Sequence, residues 1–442
     1  MRLRHGITAL FVCLGLIGCE PPADEPPQLS MGVWQASLEL PGGKMPFGIE
    51  FGREGESGFR ATLLNGQERV TVPEVTFATE TGALSLVFPA FGNRIDATLK
   101  DGALVGELRK LQRTEIQVIP FTAKPGSVAN TSAAPPQVDL SGRWEVTFTE
   151  DDGSTYPAVG EFAQRGDRLF GTFLTPTADY RYLGGRVDGN TMTLSTFDGA
   201  HAFLFRGEVD PDGALHGEFW SGLASYETFV AARNKDAILP DANQLTYLNP
   251  GYERFEFEFE DVAGNVVRHD DPRFDGKVVI VTLAGSWCPN CHDEAAFMAP
   301  LYEKFRDQGL EIVALMFEHV GSDKAAARRQ VSAFRDKFSI QYETLIAGTS
   351  DKDQASELMP SLNAVMAFPT TVFIDSQGTV RRIHTGFSGP GTGEHYTKLT
   401  GEFTALVETL LAEANVSESP AEAVGEDTPP TDDTVSTPET EG

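Results

Sequence analysis

The sequence predicts a multidomain chain: two N-terminal all-β repeat units, each a barrel or a sandwich, then an α/β domain on a mixed central sheet. Three observations predict it. Short alternating apolar and polar runs, punctuated by Gly and Asn, fill residues 31–123 and return in 140–233. That is the period-two pattern of half-buried antiparallel strands. The two blocks share landmarks at an offset of 110 or 111 residues: Trp34 with Trp144, Phe51 with Phe162, Gly106-Glu107 with Gly217-Glu218. Beyond residue 250, continuous β-branched runs alternate with helical periods, as expected of strands covered on both faces.

The elements follow in order. Residues 1–5 carry Arg2 and Arg4, and an apolar run spans 7–17. The run is too short for a permanent membrane helix and has the flanks of an export signal. Residues 20–30, rich in Pro and acids, read as a tether. The first β unit occupies 31–123, with turns at Asn65-Gly66 and Asp101-Gly102. A linker, 124–139, leads to the second unit, 140–233. Aromatics such as Phe203, Phe205, Phe219 and Trp220 read as core, since small barrels are filled by side chains. The third domain spans 250–413. Its expected strands are 255–259, 277–283, 310–317, 342–346, 370–374 and 380–384; its expected helices are 289–308, 323–338, 351–362 and 394–413. The tail, 414–442, has no Lys or Arg, is rich in Pro, Thr and Glu, and is expected to be disordered.

The 442 residues include 35 basic and 64 acidic side chains, a net charge of −29. A field of that sign repels nucleic acid and anionic membrane surfaces, so neither is expected as a direct partner.

The apolar run ends in Leu16-Ile17-Gly18-Cys19. This resembles a bacterial lipoprotein signal. The resemblance implies that Cys19 is lipidated and becomes the first mature residue, so residues 1–19 are signal and anchor. Lipid chains hold a protein at a membrane without spanning it. Glu20, rather than Asp, follows the cysteine; by the same resemblance it favours the outer membrane.

Four cysteines are present: Cys13, Cys19, Cys288 and Cys291. With the first in the signal and the second lipidated, an exported protein keeps one pair. That pair closes a very short loop, which stabilises little by chain entropy. It therefore reads as chemistry rather than scaffolding.

Cys288 follows a buried strand and precedes a helix, with Pro289 placed for the first helical turn. Its sulfur is expected at the helix N-terminus, where free N–H groups and the positive dipole end favour thiolate. Cys288 is then the attacking nucleophile, and Cys291, one turn inward, resolves the mixed disulfide. This chemistry requires neither a cofactor nor a metal.

The constellation is similar to the thioredoxin superfamily, and more closely to TlpA/ResA-like thiol-disulfide oxidoreductases of the redoxin group. The residues that carry the resemblance are Gly276 to Val279, Trp287-Cys288-Pro289-Asn290-Cys291, Glu294, Leu301 to Phe305, and Phe368-Pro369-Thr370. It implies a thioredoxin-like fold for 250–413 and protein disulfides or dithiols as substrates. It also implies re-reduction by a membrane or periplasmic thiol partner. By resemblance Pro369 is cis and faces the cysteines, Trp287, Phe368 and Thr370 line the substrate strand, and Glu294 is an acid that relays protons. Departures are Thr282, where thioredoxins carry a buried Asp, and Ala284, in place of an aromatic. Ala296 stands where the family has a helix proline, and Pro300 is expected to kink the helix near it.

Other readings stand beside this one. Cys288, Cys291 and His292 formally complete a c-type haem attachment motif. His292 is instead expected to be a surface residue of the first helical turn. A peroxiredoxin-like peroxidase shares the superfold, but the Thr expected three residues before its cysteine is Gly285 here. A zinc site lacks a second cysteine pair. A non-enzymatic lipoprotein binding a partner through its β repeats is the alternative of a different class. A Gly-x-Trp at the start of each unit resembles lipocalin-like barrels, and the remaining histidines are scattered.

Overall fold

The computed structural model describes residues 27–418 apart from 57, 114 and 127–133. The expected export signal with Cys19, most of the expected tether and nearly all of the acidic tail lie outside the described residues.

The first β unit has nine strands: β1 (Gly32–Leu40), β2 (Gly43–Glu54), β3 (Gly58–Asn65), β4 (Glu68–Thr71), β5 (Glu74–Ala78), β6 (Ala83–Phe88), β7 (Asn93–Lys100), β8 (Ala103–Leu111) and β9 (Ile116–Pro125). They pair in the order β4-β3-β2-β1-β9-β8-β7-β6-β5, an open antiparallel sheet curled about its apolar face. Alternation explains the curl: every second residue of β1, including Trp34, Ala36 and Leu38, is buried. The last strand runs through Lys124 and Pro125, two residues into the expected linker.

The second unit is a closed barrel of eight strands: β10 (Gly142–Glu150), β11 (Thr155–Arg165), β12 (Arg168–Leu174), β13 (Leu183–Asp188), β14 (Thr191–Phe197), β15 (Ala202–Val209), β16 (Leu215–Ser221) and β17 (Ser225–Arg233). Pairing of β10 with β17 removes both edges. Its interior is filled by Phe148, Phe173, Phe205 and Phe229. The repeat is visible in one detail. The Trp34 indole donates to Ser30 O at 2.9 Å and the Trp144 indole to Leu140 O at 3.0 Å, both four residues back.

The β units share a core. Phe197 of the barrel packs on Phe47 at 4.9 Å, and Asn65 bonds both the N–H and the C=O of Phe197.

The third domain has a seven-stranded mixed sheet of β18 (Glu258–Asp261), β19 (Val266–Arg268), β20 (Val278–Ala284), β21 (Leu310–Glu318), β22 (Glu343–Thr349), β23 (Thr370–Ile374) and β24 (Val380–Thr385), in the order β19-β18-β22-β21-β20-β23-β24. Strands β20, β21 and β22 are parallel, and the other pairings are antiparallel. Helices α1 (Pro289–Phe305), α2 (Lys324–Phe338), α3 (Lys352–Leu358) and α4 (Glu394–Glu418) complete this thioredoxin-like layer structure. All seven residues of β20 are buried, as its unbroken apolar run predicts. Some boundaries differ from expectation. The 255–259 strand begins only at Glu258, because Phe255 and Phe257 act as buried plugs outside the ladder. Helix α3 stops at Leu358, before Pro360. Helix α1 is one continuous element through Pro300; Ala296 and Pro300 are both exposed, where water can serve the freed carbonyl. No helix among the described residues is long and apolar enough to cross a membrane.

Candidate active site

The fully buried β20 delivers a three-residue loop, Gly285-Ser286-Trp287, to the start of α1. Gly285 is required there: a Cβ would lie 2.8 Å from Phe317 O. Cys288 is the N-cap of α1, in an extended conformation, and its sulfur accepts the Cys291 N–H at 3.2 Å. The thiol also reaches Phe368 O at 3.4 Å. Both cysteines are free and buried.

Phe368-Pro369 is a cis peptide, and the Phe368 carbonyl before it is the one that the Cys288 thiol reaches. Pro369 O accepts the Gly386 N–H at 2.8 Å, and Thr370 Oγ1 donates to Ala367 O at 2.9 Å. Trp287 donates to Phe317 O at 2.7 Å, stacks on His319 at 4.4 Å and meets Phe368 edge-on at 5.9 Å. The structure thus brings Cys288, Cys291, Trp287, Phe368, Pro369 and Thr370 together.

Glu294 is 1% exposed, on the inner face of α1. Thr282 donates to its carboxylate at 2.5 Å, and Thr371 donates to the other oxygen. Burial pushes its pKa up to about 7, against the pull of the two hydroxyls. The Thr282 departure therefore has a structural answer: the hydroxyl holds an acid supplied by the helix. Burial also raises the Cys291 thiol well above its ordinary value, with lesser contributions from the Cys288 side chain and then Glu294.

A second buried acid was not anticipated. Glu318, at the end of β21, accepts the Ser286 N–H at 2.9 Å and the Ser286 hydroxyl at 2.6 Å. Burial lifts it to about 7. The available signal was an acid closing the apolar run Ile312 to Phe317 of β21. Glu318 anchors the loop that carries Trp287 and Cys288.

His292 is a correction. It is not a surface residue; it is 4% exposed. Its Nε2 bonds Ser286 O at 2.6 Å, its Nδ1 meets Lys337 Nζ at 2.9 Å, and its ring stacks on Phe91 of the first β unit at 4.3 Å. Burial, then the Lys337 charge, holds it well below the usual imidazole range. Both ring nitrogens are engaged, so the axial-ligand role of the haem reading has no free nitrogen. Among the described residues, no cluster of three or more His, Cys, Asp or Glu is arranged to hold a metal ion.

The β half also reaches the site, which the sequence did not signal. Arg181 Nη1 donates to Pro289 O at 2.9 Å, and Asn290 Nδ2 lies 3.2 Å from Asp179 Oδ2.

Residues 250–383 match the AhpC/TSA family. Thiol-disulfide oxidoreductase ResA of Geobacillus kaustophilus is 32% identical over 131 residues, 30% of this chain and 66% of that one. ResA of Bacillus subtilis is 29% identical over 139 residues, 31% of this chain and 69% of that one. The chain thus spans just under two thirds of the first of these relatives. Among solved structures, a thiol:disulfide interchange protein of Chlorobium tepidum aligns at 19% identity with a TM-score of 0.28, covering 36% of this chain and 95% of its own. The AhpC/TSA match begins after both β units, so it describes the C-terminal domain alone. That domain holds a dithiol with one sulfur on a helix N-terminus and a basic carboxylate beside the other.

Proposed function

We propose that this protein is a thiol-disulfide oxidoreductase that reduces disulfides of other proteins. The observation that carries the reading is the Cys288 sulfur capping α1, with Cys291 and Glu294 buried directly behind it.

Cys288, as thiolate, attacks one sulfur of a substrate disulfide. That S–S bond breaks, and the departing thiolate takes up a proton. Cys291 loses its proton to the Glu294 carboxylate and attacks the Cys288 sulfur. The mixed disulfide breaks, the second substrate sulfur leaves as a thiolate and takes the proton from Glu294, and a Cys288–Cys291 disulfide remains. Two electrons pass from the cysteine pair to the substrate; one proton comes from Cys291 through Glu294 and the other from solvent, which took up the Cys288 proton on ionisation. A separate thiol reductant returns them. Pro369 and the backbone of Phe368 position the substrate strand beside Trp287 and Thr370.

The signal-like N-terminus and a single cysteine pair in the rest of the chain support export and tethering through Cys19 on the periplasmic side of a bacterial membrane. The net charge of −29 supports a protein rather than a nucleic-acid partner.

Insulin reduction tests the reading. Wild type is expected to reduce insulin with a regenerating thiol, and Cys291→Ser to trap protein mixed disulfides without turnover. Failure to trap, together with hydroperoxide consumption by wild type, would replace this reading with a peroxidase.

A further inference from the structure

The face of the dithiol that a substrate must approach is already occupied. Cys288, Pro289, Asn290, Cys291 and His292 are all buried, although they begin a helix at the domain's edge. The cover is residues 177–181 of the barrel. Thr177 O sits where a Cβ on Gly386 would come within 2.3 Å, beside Pro369. Asp179 Oδ2 accepts the Gly389 N–H at 2.8 Å and the Asn290 amide at 3.2 Å. Arg181 holds the Pro289 carbonyl. The segment therefore packs on the start of α1 at Pro289 and Asn290 and on the backbone at Gly386 and Gly389.

Arg181 also ties three parts of the chain together. Its guanidinium pairs with Glu68 of the first unit at 2.5 Å, Asp198 of the barrel at 3.3 Å and Asp293 of α1 at 2.6 Å. Arg181 itself has a left-handed φ of 55°, uncommon for a non-glycine residue. One buried cation among three carboxylates is an arrangement whose loss of a single partner is costly to the contact.

We propose that the β half is a gate over the dithiol. The docked arrangement excludes a partner protein, Arg181 is the latch, and reduction of a protein disulfide requires residues 177–181 to withdraw. The proposal rests on the oxidoreductase reading for its substrate, but the gate itself is a property of access. It assigns the β units a role in selecting when, and for whom, the cysteines react.

The test is thiol accessibility in the full chain, reduced, with labelling at Cys288 located by mass spectrometry. Two reagents are compared: iodoacetamide and a polyethylene-glycol maleimide, each scaled to its rate with a free cysteine peptide. Wild type is expected to disfavour the bulky reagent by at least about tenfold, and Arg181→Ala to recover most of that factor. Glu68→Gln, isosteric and in the first unit, is the second variant should Arg181→Ala fail to fold; unchanged near-ultraviolet circular dichroism confirms its fold. Equal scaled rates in wild type, or folded variants no faster than wild type, overturn the gate. Insulin reduction separates the two readings. Equal turnover by wild type and opened variants rejects the gate and keeps the oxidoreductase. Faster labelling with no insulin reduction by any form keeps the gate and rejects the oxidoreductase.

Discussion

Glu294→Gln isolates the buried acid behind the cysteines. In the folded protein its pKa is about 7, against 4.5 for the free side chain, with burial as the main cause. A shift of that size corresponds to roughly 3 kcal/mol once the group is fully ionised. The folded state binds this proton more tightly than the unfolded chain does. The group's favourable contribution is therefore complete below pH 4.5 and declines as pH rises to about 7. Glutamine matches the protonated acid in shape, and the hydroxyls of Thr282 and Thr371 can bond its amide. Wild type and variant are expected to be equally stable near pH 4.5, with the variant gaining about 1.4 kcal/mol per pH unit up to neutrality. Urea titrations at several pH values measure the difference, read through exposure of Cys291 to a thiol reagent so that only the redox domain reports. Parallel stability curves for the two proteins would refute a raised Glu294 pKa. The same variant is expected to accumulate the mixed disulfide and to lose the limb of the reduction rate centred near pH 7.

Further expectations follow from the same geometry. Glu318→Ala leaves the Ser286 N–H and hydroxyl unpartnered in a buried loop; a loss of about 2–4 kcal/mol in denaturant unfolding is expected, with Glu318→Gln much milder. Gly106→Ala places a Cβ 2.0 Å from the Asp96 carbonyl oxygen, and Gly217→Ala places one 2.1 Å from the Phe229 ring. Each is expected to lower the melting temperature through overpacking of about 1–3 kcal/mol, Gly106→Ala the more so because backbone cannot rotate aside.

The layout was legible in the chain because it follows from periodicity. Alternation in 31–123 and 140–233 specifies antiparallel strands, and the unbroken run before Cys288 specifies a strand covered on both faces. Cys288 at the entrance of α1 was legible for the same reason, since a strand, a turn, a cysteine and a proline in succession leave the sulfur on a helix N-terminus. Open sheet against closed barrel was not legible, since edge closure depends on the curl of all the strands at once.

Tertiary structure alone decided which charges share the site. His292 reads as a first-turn polar residue until Phe91, about 200 positions away, closes over it. Glu318 becomes an anchor for Ser286 only because β21 lies parallel to β20, bringing the two strand ends together. Arg181 meets Glu68, Asp198 and Asp293 through the docking of three separately patterned parts. Local sequence sets backbone periods and helix ends within a few residues, whereas burial, and with it the raised pKa of Glu294 and Glu318, is set by what arrives from far along the chain.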